Sequence, residues 1–114
     1  MHEYAVTEGI INIVRDEAQK AGVSKVTEIR LVIGDLSTIV DDSVQMYFDI
    51  ISQGTIVEGA KLIFKRIPAE FCCKSCGHKY DKPKTGFECP LCGEMGMPTG
   101  RGKEFYIESI EAVM

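Results

Sequence analysis

The chain has 114 residues, of which 45% are hydrophobic and 26% charged, and its formal net charge is −4. These values are ordinary for a soluble protein with one domain, or one domain and a small appendage. No run of about 18 apolar residues is present, so no membrane-spanning helix is predicted. The opening residues lack the basic start and apolar core of a signal peptide, so we expect a cytoplasmic protein.

Two helices and a strand are predicted first along the chain. Helical spacing predicts a helix over about residues 4–21, with one apolar stripe made of Val6, Ile10, Ile13, Val14 and Ala18. Alternation predicts a strand over 26–33 with Ile29, Leu31 and Ile33 on one face. A second helix is expected to begin at Asp41-Asp42-Ser43, capped by an aspartate side chain, and to end near Gly54. Its predicted buried stripe is Val44, Tyr47, Phe48 and Ile51.

Two further strands bracket a region of different composition. Residues 60–67 and 104–112 have strand patterns, whereas residues between them are rich in Cys, Gly, Pro and Lys. We therefore predict an α+β fold, with a small three-stranded sheet covered by two helices and a zinc-ribbon-like module inserted between the last two strands. The predicted domains are residues 1–69 plus 104–114, and the inserted module 70–103.

All five cysteines lie in that module, and four of them form two similar half-sites. Cys73-x-x-Cys76-Gly and Cys89-Pro-x-Cys92-Gly are separated by twelve residues. The two-residue spacing lets both sulfurs of a half-site turn toward one ion, so the pattern predicts a four-thiolate metal site. Using Cys72 instead of Cys73 would break the match between the half-sites, so Cys72 is interpreted as spare. A pair of reactive or disulfide-forming dithiols is the alternative.

The four-thiolate set indicates a structural zinc ion. It leaves no open coordination position, which argues against hydrolytic chemistry and against ligation by His78. The module has about 34 residues, too few to fold without a staple, so the ion is expected to supply most of its folding free energy. Rubredoxin-type iron fits the same spacing and stays an alternative.

Local charge argues against nucleic acid as a partner, although many zinc ribbons bind it. Six basic and four acidic residues lie between residues 70 and 103. Four thiolates with one Zn²⁺ bring the module to about zero, and the rest of the chain carries −6. Such a surface is a poor phosphate binder, so a nucleic-acid adaptor is only a distant alternative.

The N-terminus offers a second metal site of a different kind. The Met1 amine, the deprotonated His2 amide nitrogen and the His2 imidazole can close chelate rings on one square-planar Ni²⁺ or Cu²⁺ ion. Glu3, another residue or water could complete the set, or His2 and Glu3 could bind an octahedral ion. A solvated tail, in which Glu3 favours the positive end of the first helix, is the plainer interpretation.

The order of several motifs resembles one family. Met1-His2-Glu3 opens the chain, and Val32-Ile33-Gly34-Asp35-Leu36-Ser37, Gly59-Ala60-Lys61-Leu62, the two cysteine half-sites and Gly102-Lys103-Glu104-Phe105-Tyr106-Ile107-Glu108-Ser109-Ile110-Glu111 follow. Together they resemble the HypA/HybF family of nickel-insertion accessory proteins over nearly the whole chain. Cys72, which forms a vicinal pair with Cys73, departs from that pattern.

The resemblance implies a nickel metallochaperone for [NiFe]-hydrogenase maturation, not an enzyme. It assigns transferred Ni(II) to the Met1 amine, His2 and Glu3, and structural Zn(II) to Cys73, Cys76, Cys89 and Cys92. The implied partners are the nickel-handling GTPase HypB, the [NiFe]-hydrogenase large subunit and, in some organisms, urease accessory proteins. Neither a membrane nor nucleic acid is among them.

Overall fold

The computed structural model describes residues 3–83 and 86–114. Its helices are α1 (Glu3–Ala21) and α2 (Asp41–Ile51), and its strands are β1 (Lys25–Gly34), β2 (Lys61–Ile67), β3 (Glu70–Cys73), β4 (Lys79–Asp81), β5 (Gly96–Pro98) and β6 (Phe105–Val113). One sheet has the order β2-β1-β6 and a second the order β4-β3-β5. The predicted α+β fold is confirmed, with the cysteine module inserted between β2 and β6. Neither described helix combines the length and apolarity that crossing a bilayer requires.

The chain divides into two compact units. Unit 1 comprises Met1–Val32, Thr38–Lys65 and Tyr106–Met114, and unit 2 comprises Ile33–Ser37 and Arg66–Phe105. In unit 1, α1 packs against α2, and Phe48, Ile11, Ile29 and Leu31 are among its largest fully buried side chains. Since apolar burial stabilises by about 25 cal/mol per Å², a core of this kind holds unit 1 together.

The buried face of α1 is rotated from the predicted one. Ile10, Val14 and Ala18 are buried as expected, but Ile13 is 56% exposed and Val6 is only half-buried. Ile11 takes the place of Ile13, and the stripe continues toward the N-terminus through Thr7 and Glu3. Apolar spacing alone missed this rotation because two buried positions carry polar side chains. Thr7 is accommodated there because its hydroxyl donates a hydrogen bond to the Glu3 carbonyl, at 2.6 Å.

The expected aspartate cap of α2 is wrong. The N-cap residue is Val40, which makes no side-chain cap hydrogen bond, and Asp41 and Asp42 lie within the first helical turn. There the two carboxylates favour the positive end of the helix dipole. The amide of the N-cap residue Val40 donates to Oε2 of Glu3, at 3.2 Å, so a side chain distant in sequence contacts the start of the helix. Val44 and Phe48 are buried as predicted, whereas Tyr47 and Ile51 are half-buried.

Unit 2 has a much smaller core. Its buried cluster consists of Ala69, Phe71, Cys73, Tyr80 and Cys89, with Leu36 packed against it. The Phe71 ring lies 6.1 Å from that of Tyr80 and 5.4 Å from that of Phe87, measured between centroids. The Tyr80 hydroxyl donates to the Phe87 carbonyl at 2.6 Å. Two of the five buried members are therefore cysteines, which places the core of this unit directly beside the candidate metal ligands.

Backbone hydrogen bonds hold the segment Ile33–Ser37 against the rest of unit 2. The Gly34 amide donates to the Glu104 carbonyl and the Leu36 amide to the Gly102 carbonyl, both at 2.7 Å. A Cβ atom on Gly34 would overlap the Gly102 carbonyl, so only glycine fits there. This contact explains why the strand ends at Gly34-Asp35.

Candidate metal centre

Four cysteine sulfurs converge in unit 2. The Sγ atoms of Cys73, Cys76, Cys89 and Cys92 all lie within 4.8 Å of one another. Across the two half-sites, Cys73 and Cys92 are 3.3 Å apart and Cys76 and Cys89 are 3.8 Å apart, sulfur to sulfur. A tetrahedron with Zn–S bonds of about 2.3 Å has sulfur-to-sulfur edges of about 3.8 Å. The donor set therefore fits one tetrahedral, thiophilic ion.

The two half-sites repeat the same backbone turn. Gly77 donates its amide to the Cys73 carbonyl at 3.1 Å, and Gly93 donates to the Cys89 carbonyl at 2.9 Å. Both glycines have left-handed φ values, 75° and 80°, which L side chains rarely adopt. The Cys76 amide also points at the Cys73 sulfur, at 3.5 Å. The glycine after each second cysteine is thus required by the turn that aims backbone amides at the sulfurs.

The four thiols have different pKa values because they are packed close together. A hydrogen bond from the Cys76 backbone is the main reason that the pKa of Cys73 falls to about 6. At Cys92 a backbone hydrogen bond from Glu94 acts to lower the pKa, but the Cys73 side chain, burial and the other two thiols raise it to about 12. The pKa of Cys76 is also raised, because Cys73, burial and Cys89 outweigh the lowering by the His78 backbone. Close packing of four thiols therefore opposes their joint ionisation in the absence of a cation.

Two other side chains near the cluster lie outside it. In β3, Cys72 is in register with Lys79 and Met97, whereas Cys73 is in register with Gly96. Successive strand residues point to opposite faces, so the Cys72 thiol projects away from the sulfur cluster. The His78 ring stacks on that of Tyr80, with centroids 6.0 Å apart.

The predicted terminal site is only partly within the described residues. Met1 and His2 lie outside them, whereas Glu3 is the first residue of α1 and its side chain is 7% exposed. Its carboxylate accepts the Val40 amide hydrogen bond described above. No local sequence pattern predicts this structural role of Glu3, because Glu3 and Val40 are 37 positions apart.

Comparison with known proteins defines the class. The family model described as hydrogenase/urease nickel incorporation, metallochaperone, HypA matches residues 1–112. A hydrogenase maturation factor HypA from Caldanaerobacter subterraneus is 47% identical, covering 97% of this chain and 98% of its own. One from Dehalococcoides mccartyi is 45% identical, covering 97% and 93%. The solution structure of the Ni metallochaperone HypA from Helicobacter pylori has the same fold, with a TM-score of 0.64, 24% identity and coverage of 99% and 98%.

Fold, cysteine cluster and full-length match define a small metal-handling maturation factor. The chain belongs to the HypA family of hydrogenase/urease nickel-incorporation metallochaperones. Its function is therefore that of a nickel metallochaperone in hydrogenase maturation, rather than electron transfer or nucleic-acid binding.

Proposed function

We propose that this metallochaperone binds Ni(II) at its N-terminus, through the Met1 amine, His2 and Glu3, and delivers it to [NiFe]-hydrogenase. The observation that carries the proposal is the closed cysteine cluster. Four sulfurs within 4.8 Å leave no open position through which an ion could be exchanged with a partner. A transferred ion needs other ligands, and the chain has only two histidines, His2 and His78.

The position of His2 suits a transfer site better than that of His78. The His78 ring is stacked on Tyr80, and its carbonyl accepts the Cys73 amide at 2.9 Å, so it is committed to the cysteine turn. Chain termini open at low cost because few packed contacts break. A terminal ligand set can therefore bind nickel through several nitrogens and still release it stepwise to a partner's ligands.

We further propose that Cys73, Cys76, Cys89 and Cys92 hold a structural Zn(II). Zinc suits a tetrahedral thiolate set and would neutralise two of the four charges that crowd together when all thiols ionise. Its binding would fold residues 70–103 as one domain, beside the nickel-binding domain of residues 1–69 and 104–114. The family implies transfer of metal without catalysis, so we assign no enzymatic activity.

The partners of the proposed cycle are proteins of the cytoplasm. The nickel-handling GTPase HypB supplies nucleotide hydrolysis, since the sequence has no Gly-rich phosphate loop. The [NiFe]-hydrogenase large subunit receives the nickel, and urease accessory proteins are a second possible destination. The net charge of −4 supports protein partners over nucleic acid.

Nickel titration of the untagged chain tests the terminal site. We expect His2→Ala to weaken Ni²⁺ binding by at least about a hundredfold, and an added residue before Met1 to weaken it as well, because the free amine is a ligand. His78→Ala is the matched control and should bind nickel as the wild type does. Affinity should also fall as pH falls, because the amine and the His2 amide must lose protons. Equal affinities of wild type and His2→Ala would refute the terminal site.

A further inference from the structure

The N-terminal half of α1 and the whole of α2 present an unusual outer surface. Two of its residues lie on α1 and four on α2, and we call the set the α1–α2 face: Tyr4, Glu8, Asp42, Met46, Asp49 and Ile50. All six side chains are exposed, and Tyr4, Met46 and Ile50 keep 50%, 50% and 60% of their surface accessible. Exposed apolar groups are common singly, but a contiguous set marks an interaction site.

The spacing of these residues along each helix places them next to one another on its surface. Tyr4 and Glu8 are four residues apart and therefore neighbours on α1. Asp42 and Met46, and Met46 and Ile50, have the same spacing on α2, and Asp49, three residues after Met46, lies beside Asp42 at one edge of this row. The half-buried Tyr47 joins the two helices, because its ring contacts that of Tyr4 edge-on with centroids 5.4 Å apart. The apolar side chains thus form one patch that spans both helices.

The charged residues on this face are all acidic. Residues 3–12 and 38–53 contain no Lys, Arg or His, whereas Glu8, Asp42 and Asp49 are exposed on the α1–α2 face. A second copy of the chain would bring the same carboxylates against each other, which is unfavourable. Anionic phospholipid and nucleic acid are opposed by the same charges. Only a basic protein surface complements this face.

We propose that the α1–α2 face docks the nickel-handling GTPase, through a partner face with an apolar centre surrounded by Lys and Arg. This inference rests on the proposed nickel delivery. Tyr4 belongs to the face and directly follows Glu3, so the face adjoins the proposed nickel ligands along the chain. The apolar patch supplies binding free energy, and the carboxylates supply orientation and a fast association.

Binding of the purified nickel-handling GTPase to the untagged full chain tests this docking surface. We expect Ile50→Ser to weaken binding about tenfold, as loss of a central apolar contact does. Asp49→Lys should slow association and reduce its dependence on salt, because a complementary charge is reversed. Ile13→Ser and Asp16→Lys are the matched controls, since Ile13 is an equally exposed isoleucine of α1, at 56%, and Asp16 an exposed helical aspartate outside the face.

The outcomes separate docking from nickel binding. Weaker GTPase binding by Ile50→Ser and Asp49→Lys, with wild-type nickel affinity, wild-type circular dichroism and unaffected controls, supports the proposal. Failure of the wild type to bind the GTPase, or equal effects of the face variants and their controls, overturns it. Loss of nickel binding in the face variants also overturns it, because the face would then belong to the metal site. The terminal nickel site itself fails only if His2→Ala binds nickel normally.

Discussion

The two units of this protein are held together by different means. Among the described residues, the largest fully buried side chains all belong to unit 1 except Ile33. The buried cluster of unit 2 has five residues, of which Cys73 and Cys89 are candidate metal ligands. Burial of apolar surface therefore accounts for unit 1, whereas we expect unit 2 to depend on an ion held by its sulfurs. The comparison supports the proposal that the four clustered cysteines hold a structural ion and that the transferred nickel binds elsewhere.

Removal of the metal from unit 2 has the largest expected effect. Strong chelation should unfold residues 70–103, since binding of a structural zinc ion contributes about 10 kcal/mol or more to folding. Hydrogen exchange followed by NMR should show loss of protection in β3, β4 and β5 while α1 and α2 stay protected. Cys73→Ser should reproduce the loss, and Cys72→Ser, one residue away but outside the cluster, should not. Unchanged amide shifts in the module after chelation would contradict this account.

Truncation of the unit 1 core comes next. Phe48→Ala should lower the free energy of unfolding of unit 1 by about 3–5 kcal/mol, because it deletes a ring that is only 1% exposed. Chemical denaturation followed by far-ultraviolet circular dichroism measures the loss, and zinc content should stay stoichiometric. Tyr106→Ala, at a side chain that is 50% exposed, should change stability by only about 0.5 kcal/mol. Similar losses in both variants would argue against a core centred on Phe48.

The acidity of the thiols predicts how metal binding in unit 2 depends on pH. In the folded arrangement of the four thiols, Cys92, with its pKa of about 12, and Cys76, whose pKa is also raised, are protonated at pH 7, while Cys73, with its pKa of about 6, is ionised. A module that unfolds when the metal is removed holds at least as many protons, because an unperturbed thiol has a pKa of about 8.5. Binding must release at least the protons of Cys92 and Cys76. Zinc affinity should therefore fall at least about a hundredfold per pH unit on acidification, and more steeply below about pH 6, where Cys73 also gains a proton.

Calorimetric titration in two buffers of different ionisation enthalpy counts these protons. Proton release below two per ion at neutral pH would mean that the thiols ionise before the metal arrives.

The smallest effect is expected at Glu3. Glu3→Ala should lower stability by about 1–3 kcal/mol, because the Val40 amide loses the acceptor 3.2 Å away. Glu3→Gln keeps an acceptor oxygen and should therefore recover most of the lost stability, measured by thermal unfolding. It lacks the carboxylate, so it should not recover nickel binding if that carboxylate is a ligand. The two variants therefore separate the structural role of Glu3 from its proposed ligand role. No stability difference between wild type and Glu3→Ala would remove the structural role.

Sequence patterns predicted those features of the fold that depend on residues close together in the chain. The strand pattern located β1 and β2 to within a residue, since all their buried positions except Gly34 are Val, Ile and Leu, and the half-site spacing singled out the four cysteines whose sulfurs converge. The face of α1 was misjudged because Thr7 and Glu3 are buried polar residues. The cap of α2 was misjudged because the N-cap residue is Val40, which has no capping side chain and whose amide donates to Glu3, far away in sequence. The strands β3, β4 and β5 are only three or four residues long, too short for periodicity to reveal.

The most direct test of two separate metal sites compares nickel binding and zinc content in His2→Ala and Cys73→Ser. Each untagged protein is titrated with Ni²⁺, and its zinc content is measured by elemental analysis. We predict that His2→Ala loses tight nickel binding and keeps stoichiometric zinc, whereas Cys73→Ser loses zinc and keeps nickel binding. Loss of nickel binding in Cys73→Ser together with wild-type binding in His2→Ala would place the cargo on the cysteines and contradict the account.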